Sequence, residues 1–265
     1  MHPFNKIIRL DEIDSTNNYL KQLARDTSVL VTERSRSTLS NREVAEGTVV
    51  IAEFQSGGRG QQGNSWFSSK GKNLLFSLLV RPKKLPASEM FILSCITSLA
   101  IEKTLAQYAG NFTIKWPNDI YWNDKKIGGI LIENTLQEGY VQRSVIGIGL
   151  NINERSFPPT LPNPVSLCQI AQTRLEKKQI LDEFLREFSA LYQQFDSGIT
   201  ANIRDEYMQK LYRAHDYHWF ADLNGTFEAI ITNVLPSGHL VLNTKANEER
   251  KYAFKEVRFV NKSTG

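Results

Sequence analysis

Two motifs seven residues apart constrain this chain most: Lys115-Trp116-Pro117-Asn118-Asp119 and Lys126-Ile127-Gly128-Gly129-Ile130-Leu131. Together they set Lys115, Lys126, an amide, a carboxylate and a glycine pair into seventeen residues of strand-like sequence that is otherwise apolar except at Asn123-Asp124-Lys125. A strand that only fills a core needs none of those polar groups, because each must find a partner once buried. A site that brings a carboxylate up to a triphosphate needs nearly all of them.

Length and composition narrow the classes. At 265 residues the chain suffices for one large domain, or one domain plus a small one, with a sizeable core. Its 41% apolar and 23% charged residues are ordinary for a soluble globular protein. The most apolar run, residues 90–106, carries Ser94, Thr97, Ser98, Glu102 and Lys103, so it reads as no membrane span. Met1-His2-Pro3-Phe4-Asn5-Lys6 has no apolar signal core, which makes a cytoplasmic protein the expectation. Cys95 and Cys168 are too few for a disulfide framework, and His2, His215, His218 and His239 show no zinc spacing. The six Lys/Arg and six Asp/Glu of residues 216–265 cancel, leaving 26 Lys/Arg against 22 Asp/Glu in the rest and the whole net +4 there. That excess is too small and too scattered for a DNA-coating surface, and it suits a site for one polyanionic small molecule.

Along the chain, residues 6–12 alternate as a strand. Asp14-Ser15-Thr16 then offers N-cap chemistry to a helix over 17–25. Residues 32–46 are polar and aperiodic, as in a surface loop or partly disordered insertion. Strands are expected at 48–54, 73–80, 112–116, 127–134 and 141–148. Helices are expected at 88–108, 179–195 and 203–215. Beyond His215 the texture changes to short strands and turns (226–234, a Pro236-Ser237-Gly238 turn, 239–243, and 250–254 on to 260), enough for a small hairpin-built β-barrel.

The loop Gln55-Ser56-Gly57-Gly58-Arg59-Gly60-Gln61-Gln62-Gly63-Asn64 follows a strand, and Gly58-x-Gly60-x-x-Gly63 matches the dinucleotide fingerprint. That fingerprint needs a helix to begin at the loop, whereas Trp66 to Gly71 leads into another strand. No acidic residue follows before Glu89, and Asn64 stands where a P-loop needs lysine. What remains is a flexible loop with Arg59 and free backbone N–H groups, able to wrap an anion, or else an ordinary hairpin loop. Gln55 can satisfy a polar heterocycle and Trp66 can stack on an adenine. Further on, Gly147 and Gly149 in Ile146-Gly147-Ile148-Gly149-Leu150-Asn151 bare one face of a strand, as for a ligand lying flat on it, unless they mark a bulge.

Five motifs in register resemble the biotin protein ligase family: Asp14-Ser15-Thr16-Asn17, Gly58-Arg59-Gly60, Lys115-Trp116-Pro117-Asn118-Asp119, Lys126-x-x-Gly129-Ile130-Leu131 and Gly147-x-Gly149-x-Asn151. The resemblance implies a mixed α/β catalytic domain related to class II aminoacyl-tRNA synthetases over residues 1–215, and an SH3-like β-barrel over 216–265. It implies that biotin's carboxylate attacks the α-phosphate of MgATP, with Mg2+ expected through the nucleotide. Biotinyl-5′-AMP then passes biotin to a lysine of a biotin carboxyl carrier domain. Without the winged helix of the transcription-repressing members, the chain resembles the monofunctional form, with no DNA or membrane partner and a monomer or weak homodimer as its expected state.

By the same resemblance Lys126 contacts the biotin carboxylate, Arg59 neutralises phosphate and carboxylate, and Lys115 faces the nucleotide or is structural. Ser15, Thr16, Asn17 and Gln55 match the ureido ring, with helix capping as the other role for Ser15 and Thr16. Gly58, Gly60, Gln61, Gly129, Gly147 and Gly149 complete the biotin side. Trp66, Asn118, Asp119 and Asn151 join Arg59 and Lys115 on the adenylate. Gln61 departs from the commoner Gly-Arg-Gly-Arg, dropping a charge that helps other members retain the adenylate; retention through Arg59 and Trp66 is expected instead. A lipoate or octanoate ligase and a non-catalytic biotin sensor are the competing readings.

Overall fold

A computed structural model describes residues 4, 6–25 and 44–260. The expected insertion at 32–46 lies outside the described residues except for its last three positions, where Val44 is buried.

The main sheet has seven strands: β1 (Ile7–Ile13), β2 (Val49–Gln55), β3 (Leu74–Val80), β4 (Phe112–Lys115), β5 (Asp119–Trp122), β6 (Lys125–Gln137) and β7 (Tyr140–Leu150). Their order is β1-β2-β3-β7-β6-β5-β4, with β1 and β2 parallel and every other pair antiparallel. It is the mixed architecture that the family resemblance implies.

Side-chain alternation divides this sheet into two unlike faces. Leu74, Phe76, Leu78 and Val80 of β3, with Ile146, Ile148 and Leu150 of β7, enter the large core under helices α2 (Ile92–Leu105), α4 (Lys177–Asp196) and α5 (Ala201–Gln209). The intervening residues face α1 (Thr16–Arg25), where Val50, Leu79 and Val145 join Leu20, Ala24 and Val44 in a small second core. Beyond that second core the same face presents Ser77, Gly147, Gly149, Gly129 and Leu131, brought side by side by the pairings Ser77↔Gly147, Leu131↔Gly147 and Gly129↔Gly149.

Several boundaries depart from expectation. β5 was not foreseen: it is four residues long and begins on the polar turn that closes the β4–β5 hairpin. A short helix, α3 (Leu167–Ala171), starts at a capping box in which the Ser166 hydroxyl accepts from the Gln169 N–H and the Gln169 side chain accepts from the Ser166 N–H. The helix expected over 88–108 is preceded by a single 3₁₀ turn at Ala87–Glu89 and stops at Leu105, while the one expected over 203–215 runs from Ala201 to Gln209. No helix among the described residues is long and apolar enough to cross a membrane.

After His215 come β8 (His218–Asp222), also unforeseen, β9 (Gly225–Val234), β10 (Leu240–Thr244), β11 (Glu249–Tyr252) and β12 (Arg258–Phe259). They form a second, antiparallel sheet in the order β11-β10-β9-β8-β12, in keeping with the small barrel expected there. Trp116 makes two of the contacts that seat it on the first unit. The Trp116 indole N–H donates to the Gly238 carbonyl at 2.9 Å, and its ring meets Phe254 edge-on at 6.3 Å. Gly238 has φ +91°, and a β-carbon there would stand 2.7 Å from the Phe91 ring. Gly238→Ala therefore combines a left-handed backbone with a clash, and we expect a loss of about 1–3 kcal/mol, read from urea unfolding; a variant as stable as the wild type would show that this seat yields freely.

Candidate active site

One cavity of about 420 Å³ opens on the glycine face of the main sheet and is closed on its far side by Phe254, Lys255, Val257, Arg258 and Phe259 of the second unit. Its neutral end is built on the start of α1. Gln55 Oε1 accepts from the Thr16 N–H at 2.8 Å and from the Thr16 hydroxyl at 3.0 Å. The Ser77 hydroxyl lies 2.7 Å from Thr16 Oγ1 and 2.5 Å from Asn17 Oδ1. Asn17 Nδ2 donates to the Leu131 carbonyl at 3.2 Å and to Glu133 at 2.9 Å. Ser15, Thr16 and Asn17 are each 3% exposed, so this end is a rigid polar wall rather than a solvated surface. Ser15 also does the capping expected of it, its hydroxyl accepting from the Asn18 N–H at 3.5 Å.

The charged end is lopsided. Among the described residues, Arg59, Lys115, Lys126, Lys255 and Arg258 line the cavity against a single lining carboxylate, Asp119. Asp119 pairs with Lys126 Nζ at 2.6 Å. Arg59 donates to Asn18 Oδ1 and stands 3.6 Å from Glu133. Lys115 Nζ donates to the Tyr121 hydroxyl at 2.9 Å. Asn118 is fixed by donating to the Ile130 carbonyl at 2.8 Å, while its own carbonyl accepts from the Ile130 N–H at 2.9 Å. These bonds hold the turn after Trp116, whose peptide bond to Pro117 is cis, against β6.

Glu133 is half-buried beneath the cavity, with Lys21 Nζ 2.5 Å away. Burial pushes its carboxyl pKa up, but the hydrogen bonds from Lys21 and Asn17 and the charges of Lys21 and Arg59 outweigh it and hold the group below its usual range.

The glycine loop forms a compact turn. The Gly60 N–H donates to the Asn64 carbonyl at 2.6 Å and the Trp66 N–H to the Gly58 carbonyl at 2.9 Å, around one 3₁₀ turn at Gln61–Gly63. No helix follows before β3, as the rejected dinucleotide reading would require. The loop lays Trp66 flat on the sheet: a β-carbon on Gly149 would lie 2.5 Å from the indole, and one on Gly129 3.1 Å from it. On Gly147 it would lie 2.2 Å from Asn17 Oδ1. The strand pairing runs unbroken through Gly147 and Gly149, so they mark no bulge. They do bare a face, which Asn17 and Trp66 cover in part, and both glycines line the cavity. The Trp66 indole N–H is buried there without a hydrogen-bond partner among the described residues.

Of the sequence-derived candidates, Ser15, Thr16, Asn17, Gln55, Arg59, Gly60, Gln61, Trp66, Lys115, Asn118, Asp119, Lys126, Gly129, Gly147 and Gly149 all line the cavity. Gly58 and Asn151 do not. Gly58 packs under the loop, where a β-carbon would lie 2.8 Å from the Trp66 carbonyl. Asn151 is buried and donates through Nδ2 to the Val165 carbonyl at 3.1 Å, tying down the chain before α3. Sequence reasoning missed Ser77, Glu133 and the wall from the second unit. Ser77 is the lone polar residue in Leu74–Val80, a signal that was there to be read.

Residues 26–151 match the model of the biotin/lipoate A/B protein ligase family. The bifunctional ligase/repressor BirA of Bacillus subtilis (strain 168) is 30% identical over 226 residues, which span 84% of this chain and 69% of that protein. The biotin–[acetyl-CoA-carboxylase] ligase of Paracoccus denitrificans is 29% identical over 213 residues, 76% of this chain and 85% of that one. Among solved structures, the biotin protein ligase from Aquifex aeolicus in complex with biotin and ATP superposes with a TM-score of 0.76 over 97% of this chain and 100% of that one, at 24% identity, which establishes a shared fold.

Glu133 also sets a pH dependence. Its folded pKa lies below the unfolded value near 4.5, so its contribution to stability is complete above that pH and is lost as pH falls through the folded pKa. Between about pH 5 and pH 3, the urea midpoint of the wild type should fall more steeply than that of Glu133→Gln; equal slopes would remove Glu133 from the account.

Proposed function

Because the chain belongs to the biotin/lipoate A/B protein ligase family, we propose that it is a biotin protein ligase, which activates biotin with ATP and passes it to a lysine of a biotin carboxyl carrier domain. The observation that carries this reading is the two-ended cavity, a buried neutral wall of amides and hydroxyls adjoining, among the described residues, five cations and one carboxylate.

The ureido ring of biotin has two N–H donors and a carbonyl, and the wall of Ser15, Thr16, Asn17 and Gln55 offers both kinds of partner. At the other end two anions must meet. A carboxylate oxygen attacks the α-phosphorus, pyrophosphate leaves, and negative charge builds on the phosphate oxygens in between. Preset cations lower that barrier because they need not reorganise as the charge develops. Lys126, now on Asp119, exchanges that partner for the substrate carboxylate and then the mixed anhydride. Arg59 is held by an amide oxygen and by a carboxylate 3.6 Å away, so it stays available to the phosphate from the loop. In the second step the carrier lysine amine attacks the acyl carbon and AMP leaves, which calls for no nucleophile from the chain. Cys95 is suited to none: it is buried, and burial pushes its thiol pKa up to about 12.

The donor set also fits magnesium arriving on the nucleotide. That ion keeps most of its water and phosphate ligands and takes one or two carboxylates, and Asp119 is the lining carboxylate that would hold it. Adenine would stack on Trp66, and Gln61, which lines the cavity, leaves Arg59 as the loop's charge on the adenylate.

Pyrophosphate release from MgATP tests the reading. Release on adding biotin, and not lipoate or octanoate, is expected, with Lys126→Ala slower by about 10²–10³-fold. Release with lipoate alone would move the substrate assignment; a folded protein that binds biotin and releases nothing would be a sensor.

A further inference from the structure

Lys115 differs from the other motif lysine in how its charge is met. Among the described residues no carboxylate lies at ion-pair distance from it. Its ammonium donates to the Tyr121 hydroxyl at 2.9 Å, which holds it at the edge of that ring 4.6 Å from the centre, and it sits 5.9 Å from the centre of the Tyr212 ring and 5.4 Å from that of Phe259. Tyr121 and Tyr212 belong to the first unit; Phe259 is on β12 of the second. The three rings brace one another. Tyr212 lies 5.2 Å from Tyr121 and 6.0 Å from Phe259, and Phe220 backs Phe259 at 5.1 Å. The Tyr212 hydroxyl donates to Asp124, and Arg213 lies over the Tyr212 ring at 4.9 Å while donating to the Val260 carbonyl at 3.0 Å. Lys115 and Phe259 both line the cavity.

Aromatic faces attract an ammonium without neutralising it. A carboxylate would cancel much of the field that a phosphate feels; a ring cage fixes the position and leaves the charge. We infer that Phe259 is a positioning residue for nucleotide activation: together with Tyr121 and Tyr212 it cages the Lys115 ammonium, so that seating of the second unit sets a cation for the phosphates. This rests on the ligase reading. It assigns to one ring on β12 a task that apolar packing between the units does not require.

Leucine at 259 keeps apolar volume and removes the quadrupole, and tyrosine keeps the ring, so the pair separates caging from filling. Reductive ¹³C-dimethylation keeps lysines charged and gives each a methyl resonance, with that of Lys115 identified by its loss in Lys115→Arg. In Phe259→Leu this resonance should move toward that of a solvated lysine. The KM for ATP in pyrophosphate release should rise about 2- to 30-fold, the span of one cation–π contact, while biotin affinity by calorimetry holds, and Phe259→Tyr should recover most of the loss. An unmoved resonance, an equal loss for ATP and biotin, or a tyrosine variant no better than leucine would overturn the inference. If the wild type releases no pyrophosphate with biotin, the ligase reading falls, and ATP affinity by calorimetry across the same variants decides the cage by itself.

Discussion

Everything in the site depends on the strict alternation of side chains along β3 and β7. One face must bury leucines, isoleucines and phenylalanines under three helices, so the other must be built from whatever stands between them. In the middle of the sheet those intervening positions are Ser77, Gly147 and Gly149, with Gly129 alongside on β6. A shift of one residue in register would drive the phenylalanine and isoleucines into the cavity and the glycines into the core. The large core therefore specifies the site, because it leaves only one way for the sheet to sit.

Electrostatics follow from how the cations are partnered. Like charges a few ångströms apart at a protein surface repel by roughly 4 kcal/mol, so five cations around one cavity oppose the folded state unless they are spread and held. Arg59 leans on an amide oxygen, Lys115 on one phenol and two further rings, and Lys126 on the lining carboxylate Asp119. The partners fix geometry while leaving net positive potential, which is the condition a polyanion meets on entry.

The motifs were legible because each joins residue types that do not otherwise share a strand, and the structure gathers nearly all of them around one cavity. Short elements were not. β5 has four residues and opens on Asp119, and α3 has five, too few for any period to emerge. Asn151 has the same parity as Gly147 and Gly149, yet β7 ends at Leu150, and just past that end the Asn151 side chain is drawn into a bond to the Val165 carbonyl. The wall formed by Lys255, Arg258 and Phe259 carries no local mark. Two cations and a phenylalanine near a chain terminus read as ordinary surface and core until the second sheet is placed against Trp116.

The indole of Trp66 resting on Gly129 and Gly149 has a thermodynamic consequence. That patch of sheet is already dry, so a ligand that stacks on the outer face of the indole withdraws none of it from water. Apolar surface newly withdrawn from water is what lowers the heat capacity on association. Here the protein's share of that drop is small, and the ligand's own faces supply most of it. Binding then adds a layer to the indole and leaves the glycine patch as it was, and its temperature dependence is flatter than the contact area alone would suggest.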